Sequence, residues 1–424
     1  MKRWVSALLL GMLALLALVL LLNFGGEEKI HDVPPLTPPT GDTVARGAYL
    51  VRAGNCVTCH TARGGAPFAG GREIETPFGT VYASNLTPHR TTGIGSWSPD
   101  QFWRALHDGQ SPDGRLLSPA FPYPNYTLVS RADADAMFAY LHSLPPIDRR
   151  NTPNRLRWPY DTQAALVIWR ALYFKPGVYE SDPGQTAEWN RGAYLVRGLG
   201  HCGACHTARN AMGASSQMMD LSGGLIPMQN WYAPSLTSPA EAGVAHWSLE
   251  DIERLLRTGM GTASAVLGPM AEVILQSTQY LAPGDLRAVA VFLKSLPQSA
   301  PSEPAPVAAM STKTAEQGAR LYNRHCAGCH GEQGEGVPGA YPPLAGNRTV
   351  ALPVTANLVQ IVLYGGFPPA TAGNPRPFGM PPFTILLSDS EVAAVISHIR
   401  ASWGNRSSPV FELAVSQQRA GTRP

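Results

Sequence analysis

The six cysteines of this chain occupy three copies of one pentapeptide: Cys56-Val57-Thr58-Cys59-His60, Cys202-Gly203-Ala204-Cys205-His206 and Cys326-Ala327-Gly328-Cys329-His330. Two thiols three positions apart, followed at once by a histidine, form the attachment signature of c-type haem. Each thiol can make a thioether to one haem vinyl group, and the histidine is then held under the iron as its proximal ligand. The pattern predicts three covalently bound haems c, on Cys56 and Cys59, Cys202 and Cys205, and Cys326 and Cys329, with His60, His206 and His330 on the irons. Other uses of cysteine fit less well. A redox C-x-x-C normally occurs once, near a βαβ pattern, and has no use for the trailing histidine. Zinc could draw on two C-x-x-C pairs, but these lie more than a hundred residues apart, each with its own histidine. Disulfides leave the three histidines unexplained.

The N-terminal end points out of the cytoplasm. Lys2 and Arg3 precede an uncharged stretch from Trp4 to Gly26, mostly Leu, Ala and Val, closed by Glu27 and Glu28. It is about long enough to span a bilayer, and no convincing cleavage site follows, so residues 1–26 are expected to be a signal anchor or signal peptide. Positive charge on the short N-terminal side predicts that the rest of the chain lies outside the cytoplasm. Net charge is only +3, and no basic run suggests nucleic acid.

An internal repeat organises the remainder. Arg46-Gly47-Ala48-Tyr49-Leu50-Val51-Arg52 recurs as Arg191-Gly192-Ala193-Tyr194-Leu195-Val196-Arg197, each ahead of a haem motif, and Gly318-Ala319-Arg320-Leu321-Tyr322 is a looser third copy. Each unit closes with an amphipathic helix, predicted over Arg131 to Leu144, Pro283 to Leu296 and Ser388 to Trp403, with Ser130, Pro283 with Asp285, and Ser388 as start residues. A first helix leading to the attachment site and a last helix packed across it is a cytochrome c arrangement. The expected fold is all-α, with three tandem cytochrome c-type domains at 43–148, 187–298 and 312–405. A connecting segment at 149–186 carries the apolar run Ala164 to Phe174, too short to cross a membrane and read as a packing helix. A Pro/Ala linker at 299–311 and a tail at 406–424 complete the plan. A bound haem supplies much of the apolar core that a domain of about a hundred residues otherwise lacks.

Each iron needs a sixth ligand or an open site. Methionine there raises the potential and suits electron transfer. Met380, in Phe378-Gly379-Met380-Pro381-Pro382-Phe383, is the distal candidate for the third haem. Met270, in Gly268-Pro269-Met270-Ala271, is the candidate for the second, with Met260 as its rival. The corresponding loop of the first repeat, Leu117-Ser118-Pro119-Ala120-Phe121-Pro122-Tyr123, has no methionine. Met137, His89, His107, His142 or an open position remain as alternatives there.

The chain resembles the three-haem membrane-bound cytochrome c subunits of periplasmic dehydrogenases over nearly its whole length. That family accompanies alcohol, gluconate, sorbitol and aldehyde dehydrogenases and some molybdenum-containing hydroxylases. The resemblance rests on Arg-Gly-Ala-Tyr-Leu-Val-Arg before the first two haems, Asn85-Leu86-Thr87-Pro88, Thr92-Gly93-Ile94-Gly95, Pro122-Tyr123-Pro124, Gly268-Pro269-Met270-Ala271 and Ser402-Trp403-Gly404-Asn405. Much of the family has a methionine before Pro-Tyr in the first domain, where this chain has Phe121. The resemblance implies an electron-transfer subunit on the periplasmic side of the inner membrane, not an enzyme. It would take electrons from a separate dehydrogenase catalytic subunit carrying a flavin, pyrroloquinoline quinone or a molybdenum cofactor. It would deliver them to membrane ubiquinone, a terminal oxidase or a soluble carrier of the respiratory chain. No Gly-rich dinucleotide fingerprint or second cofactor motif is present. The rival reading is a haem enzyme of peroxidase type using an open site on the first haem. Without methionine, the first haem is expected to have the lowest potential of the three; a redox titration assigning the highest to the Cys56/Cys59/His60 haem would contradict this.

Overall fold

The computed structural model describes Trp4, Ser6, Leu10, Gly11 and Ala14, then residues 40–215, 220–261, 264–299 and 307–421. The predicted N-terminal anchor therefore falls largely outside the described residues, as does most of the Pro/Ala linker. Among the described residues, no helix is long and apolar enough to cross a membrane. The chain forms two compact units. One is Met1–Ser181 with Arg197–His201 and Asn210–Ala214; the other is Asp182–Val196, Cys202–Arg209 and Ser215–Pro424.

In the first unit, Thr40 caps helix α1 (Gly41–Ala53) by accepting the Thr43 N–H. Strands β1 (Glu73–Thr76) and β2 (Gly79–Tyr82) form a tight antiparallel hairpin. Helix α2 (Pro99–His107) starts in a full capping box between Ser98 and Gln101. Helix α3 (Arg131–Ser143) starts at Ser130, which accepts the Asp133 N–H. Strand β3 (Arg155–Leu156) adds to β2. Helix α4 (Gln163–Tyr173) is the apolar run of the connecting segment. It buries Trp169 against Tyr123, Phe174 and Ala214 and leaves Ile168 and Leu172 exposed.

The second unit begins with α5 (Ala187–Ala193), capped by Thr186. The repeat is one residue longer here between its arginine and its first cysteine (Arg191 to Cys202, against Arg46 to Cys56). The chain takes up that residue as a π-helical stretch over Tyr194–Leu199, the usual outcome of a one-residue insertion into a helix. Strands β4 (Gly224–Ile226) and β5 (Trp231–Ala233) pair antiparallel. Helices α6 (Leu249–Thr258), α7 (Pro269–Gln276) and α8 (Pro283–Ser295) follow. Then come α9 (Thr312–His325), α10 (Ala356–Tyr364) and α11 (Asp389–Ala401). The segment expected as a tail instead forms α12 (Glu412–Gly421). It buries Val415, and Arg419 reaches Asp389 at 2.6 Å and the Leu387 carbonyl at 3.1 Å.

The expectation of an all-α fold needs correction. The molecule is mainly helical but carries the ladders β1-β2-β3 and β4-β5. In the first, Ile74, Thr76, Thr80 and Val81 supply the β-branched side chains a pleated surface favours, and Gly79 takes the positive φ (125°) that closes the hairpin.

One contact recurs three times. Each repeat's first helix crosses its last, α1 on α3, α5 on α8 and α9 on α11. At every crossing a glycine faces a backbone carbonyl: Gly47 meets Ala136, Gly192 meets Ala288, and Gly318 meets Ala394. A Cβ at any of the three would sit inside the envelope of that carbonyl, so only glycine lets the helices approach this closely. The first two crossings add an ion pair, Arg46 to Asp133 at 2.5 Å and Arg191 to Asp285 at 2.7 Å. Gln317 replaces the arginine in the third copy. There Glu391 folds back to accept the Ser388 N–H at 2.9 Å as part of a capping box.

Overpacking at such a site costs about 1–3 kcal/mol. Gly192→Ala is expected to lower the thermal midpoint followed by circular dichroism. Gly284→Ala, where a Cβ meets nothing within 4 Å, serves as the control and is expected to leave it unchanged or slightly raised.

Candidate haem sites

Each Cys-x-x-Cys-His segment folds as a single helical turn. The histidine N–H donates to the carbonyl of the first cysteine, His60 to Cys56 at 3.0 Å, His206 to Cys202 at 3.0 Å and His330 to Cys326 at 2.9 Å. Positions i, i+3 and i+4 then share one face, so both thiols and the imidazole point the same way. None of the six cysteines is in a disulfide.

The imidazoles are oriented identically. Nδ1 lies 2.7 Å from the Ser84 carbonyl in His60, 2.7 Å from the Pro234 carbonyl in His206, and 3.0 Å from the Pro342 carbonyl in His330. A carbonyl only accepts, so Nδ1 carries the proton and Nε2 presents its lone pair, the tautomer an axial ligand requires. Burial depresses the pKa of all three rings, which keeps them neutral. Burial, with the neighbouring thiol, pushes Cys56 and Cys202 up to about 12 and Cys326 to about 11. These are paired thiols and a neutral imidazole on one face, and they fit covalent haem.

The surrounding loops explain several of the family stretches. Asn85 is buried behind the Ser84 carbonyl; its Nδ2 donates to the Ile147 carbonyl at 2.8 Å, and its Oδ1 accepts the Thr87 N–H at 2.9 Å. Gly93 and Gly95 lie against the Thr87 and Pro88 carbonyls, too close for any side chain. In the third repeat, Asn405 Nδ2 donates to the Leu344 carbonyl at 3.0 Å, just past Pro342, and the Trp403 ring packs tilted against Tyr322 with centroids 4.7 Å apart and planes 53° apart.

The first two repeats share more than their sequences suggest. Thr61 Oγ1 accepts the Phe68 N–H and Thr207 Oγ1 the Leu221 N–H, with Phe68 and Leu221 both at positive φ. Gly70 and Gly223 donate their N–H to the carbonyls of His60 and His206.

The third repeat brings its predicted residues together. Cys326, Cys329, His330 and Met380 line one cavity, walled by apolar side chains that include Leu321, Val362 and Phe383. Met380 is fixed by reciprocal backbone hydrogen bonds with Gly366, at 2.8 and 3.0 Å. Met270 occupies the first turn of α7, half-buried, and Met260 pairs with Ala265 in an isolated bridge. The bridge Gln110–Leu116 is the first-repeat counterpart of Met260–Ala265, and counting on from Leu116 and Ala265 puts Phe121 in register with Met270.

The other candidates of the first repeat have partners of their own. His142 Nε2 lies 3.0 Å from the Ile94 carbonyl, His107 Nδ1 lies 2.9 Å from the Thr127 carbonyl, and His89 Nδ1 lies 2.8 Å from Thr92 Oγ1. Met137 is buried within α3. Tyr126, which sequence reasoning passed over, donates to the Gly54 carbonyl at 2.9 Å beside the first attachment turn, and its ring lies 5.4 Å from that of Phe121.

The family model for cytochrome c matches residues 315–403. The chain is 39% identical to the cytochrome c subunit of a quinone-type alcohol dehydrogenase from Gluconacetobacter polyoxogenes, over 86% of this chain and 81% of that protein. It is 37% identical to the gluconate 2-dehydrogenase cytochrome c subunit of Pantoea cypripedii, over 96% and 92%. It is 35% identical to the fructose dehydrogenase cytochrome subunit of Gluconobacter japonicus, over 95% and 88%.

Replacing a thioether ligand abolishes the near-infrared charge-transfer band of a methionine-ligated ferric haem. Met270→Leu and Met380→Leu are each expected to remove one such component and lower one potential, whereas Met260→Leu is expected to leave the spectrum intact.

Proposed function

This chain belongs to the family of cytochrome c subunits of dehydrogenase complexes, and from that premise we propose that it is a three-haem relay outside the cytoplasm. The observation that carries the reading is the threefold attachment turn, each with its imidazole Nδ1 held on a backbone carbonyl. It is an electron-transfer component, and the substrate chemistry belongs to a separate catalytic subunit. The repeats at 43–148, 187–298 and 312–405 act as three cytochrome c domains. Cys56, Cys59, Cys202, Cys205, Cys326 and Cys329 hold the haems, and His60, His206 and His330 bind the irons. Met270 and Met380 complete the second and third sites.

When bound, each haem supplies a one-electron iron couple suited to bridging a two-electron donor and a membrane acceptor. The chain's own residues set ligand geometry, exclude water and fix the potentials. Residues 1–26 hold the chain at the periplasmic face of the inner membrane, where ubiquinone or a terminal oxidase accepts the electrons.

A second reading draws on one observation, Phe121 in register with Met270. The first haem would then keep an open position, able to bind small molecules. Carbon monoxide binding to the reduced protein tests this, and three fully six-coordinate haems would exclude it.

The relay is tested by mild-detergent purification of the tagged chain from its native membranes, with haem quantification and mass spectrometry of what accompanies it. Three haems and a large flavin, quinoprotein or molybdenum subunit are expected. A lone chain, or fewer than three haems, would overturn the proposal.

A further inference from the structure

The third haem cavity is not built by the third repeat alone. Ser264, Ala265 and Leu267 stand in its wall beside Cys326, His330 and Met380. They belong to the loop between α6 and α7, which continues directly to Met270. Residues 259–261 and 264–266 of this loop are tied together by main-chain hydrogen bonds. Gly261 N–H donates to the Ser264 carbonyl and Val266 N–H to the Gly259 carbonyl, both at 2.8 Å. It also interlocks with the loop that carries Met380. Thr371 Oγ1 donates to the Thr258 carbonyl at 3.2 Å. A Cβ on Gly259 would overlap the Pro369 ring, and one on Gly366 would touch Leu267 Cδ2 at 3.9 Å. More widely, Asn357 and Tyr232 exchange two hydrogen bonds of 2.7 Å, and the Arg348 guanidinium donates to the Gly243 carbonyl at 2.9 Å while lying over the Trp247 ring.

We propose that Leu267, on the loop that leads into the Met270 helix, is a positioning residue of the third haem site, so that the second repeat helps to set the third haem's potential. The physical reason is dielectric. The ferric centre carries one more charge than the ferrous, so apolar wall that excludes water favours the reduced form and raises the potential. Leu267 presents an isobutyl group at the one stretch of that wall which the third repeat does not supply. A polar or truncated side chain there admits water on the Met380 side of the cavity.

The inference rests on the three-haem reading, and its test separates the two. Full-length Leu267→Gln and Leu267→Ala are purified and their haem content measured. Each haem is then titrated potentiometrically with electron paramagnetic resonance detection, the second and third signals being assigned with Met270→Leu and Met380→Leu. With three haems bound, the third potential is expected to fall in both variants, further in Leu267→Gln, while the first stays where it was. An unchanged third potential in both variants would overturn the proposal. A shift of equal size at all three haems would also overturn it, since it would mark a general loosening. Fewer than three haems in the unaltered protein would instead defeat the functional reading.

Discussion

Everything at the three sites depends on how closely two helices can cross. In each repeat the glycine of the first helix rests on a carbonyl of the last, Gly47 on Ala136, Gly192 on Ala288 and Gly318 on Ala394. The first helix leads into the attachment turn, and in the third repeat Val395 and Ile399 of the last helix form part of the cavity wall. The crossing distance therefore sets the gap between the thiols and the opposite wall. Dense packing makes that gap a fixed dimension, because a single added methyl has nowhere to go. The flanking ion pairs contribute little by comparison, since Arg46 and Arg191 are partly solvated. The third crossing does without one.

The second constraint is the aim of the imidazoles. A histidine on a one-turn helix is free to rotate unless its far nitrogen is held. Here the restraint is a main-chain carbonyl, from Ser84, Pro234 or Pro342. Those carbonyls are immobilised in turn by Asn85 in the first repeat and by Asn405 through Leu344 in the third. Buried amide side chains suit this task, since one asparagine can donate and accept at once along two strands of chain.

Much of this was legible in the residues. The attachment turns follow from spacing alone, and the paired helices from repeated Arg-Gly-Ala-Tyr-Leu-Val-Arg and the Ser130 and Ser388 caps. The π-helical stretch at Tyr194–Leu199 was present as one surplus residue before Cys202. Other features left no local trace. A backbone acceptor such as the Ser84 carbonyl carries no side-chain signature. Glu73-Ile74-Glu75-Thr76 is too short for its alternation to stand out from loop. Helix α12 owes its place to contacts such as Arg419 with Asp389, thirty positions away. Leu267 in the third cavity is a product of tertiary packing, and the spacing of the repeats gives no warning of it.

That shared wall also bears on the order in which the protein can be completed. A chain emerging from its N-terminus delivers the loop Ser264–Met270 before Cys326 and Met380. A third repeat detached from the second would have to enclose its cofactor without the part of the wall that Ser264, Ala265 and Leu267 supply.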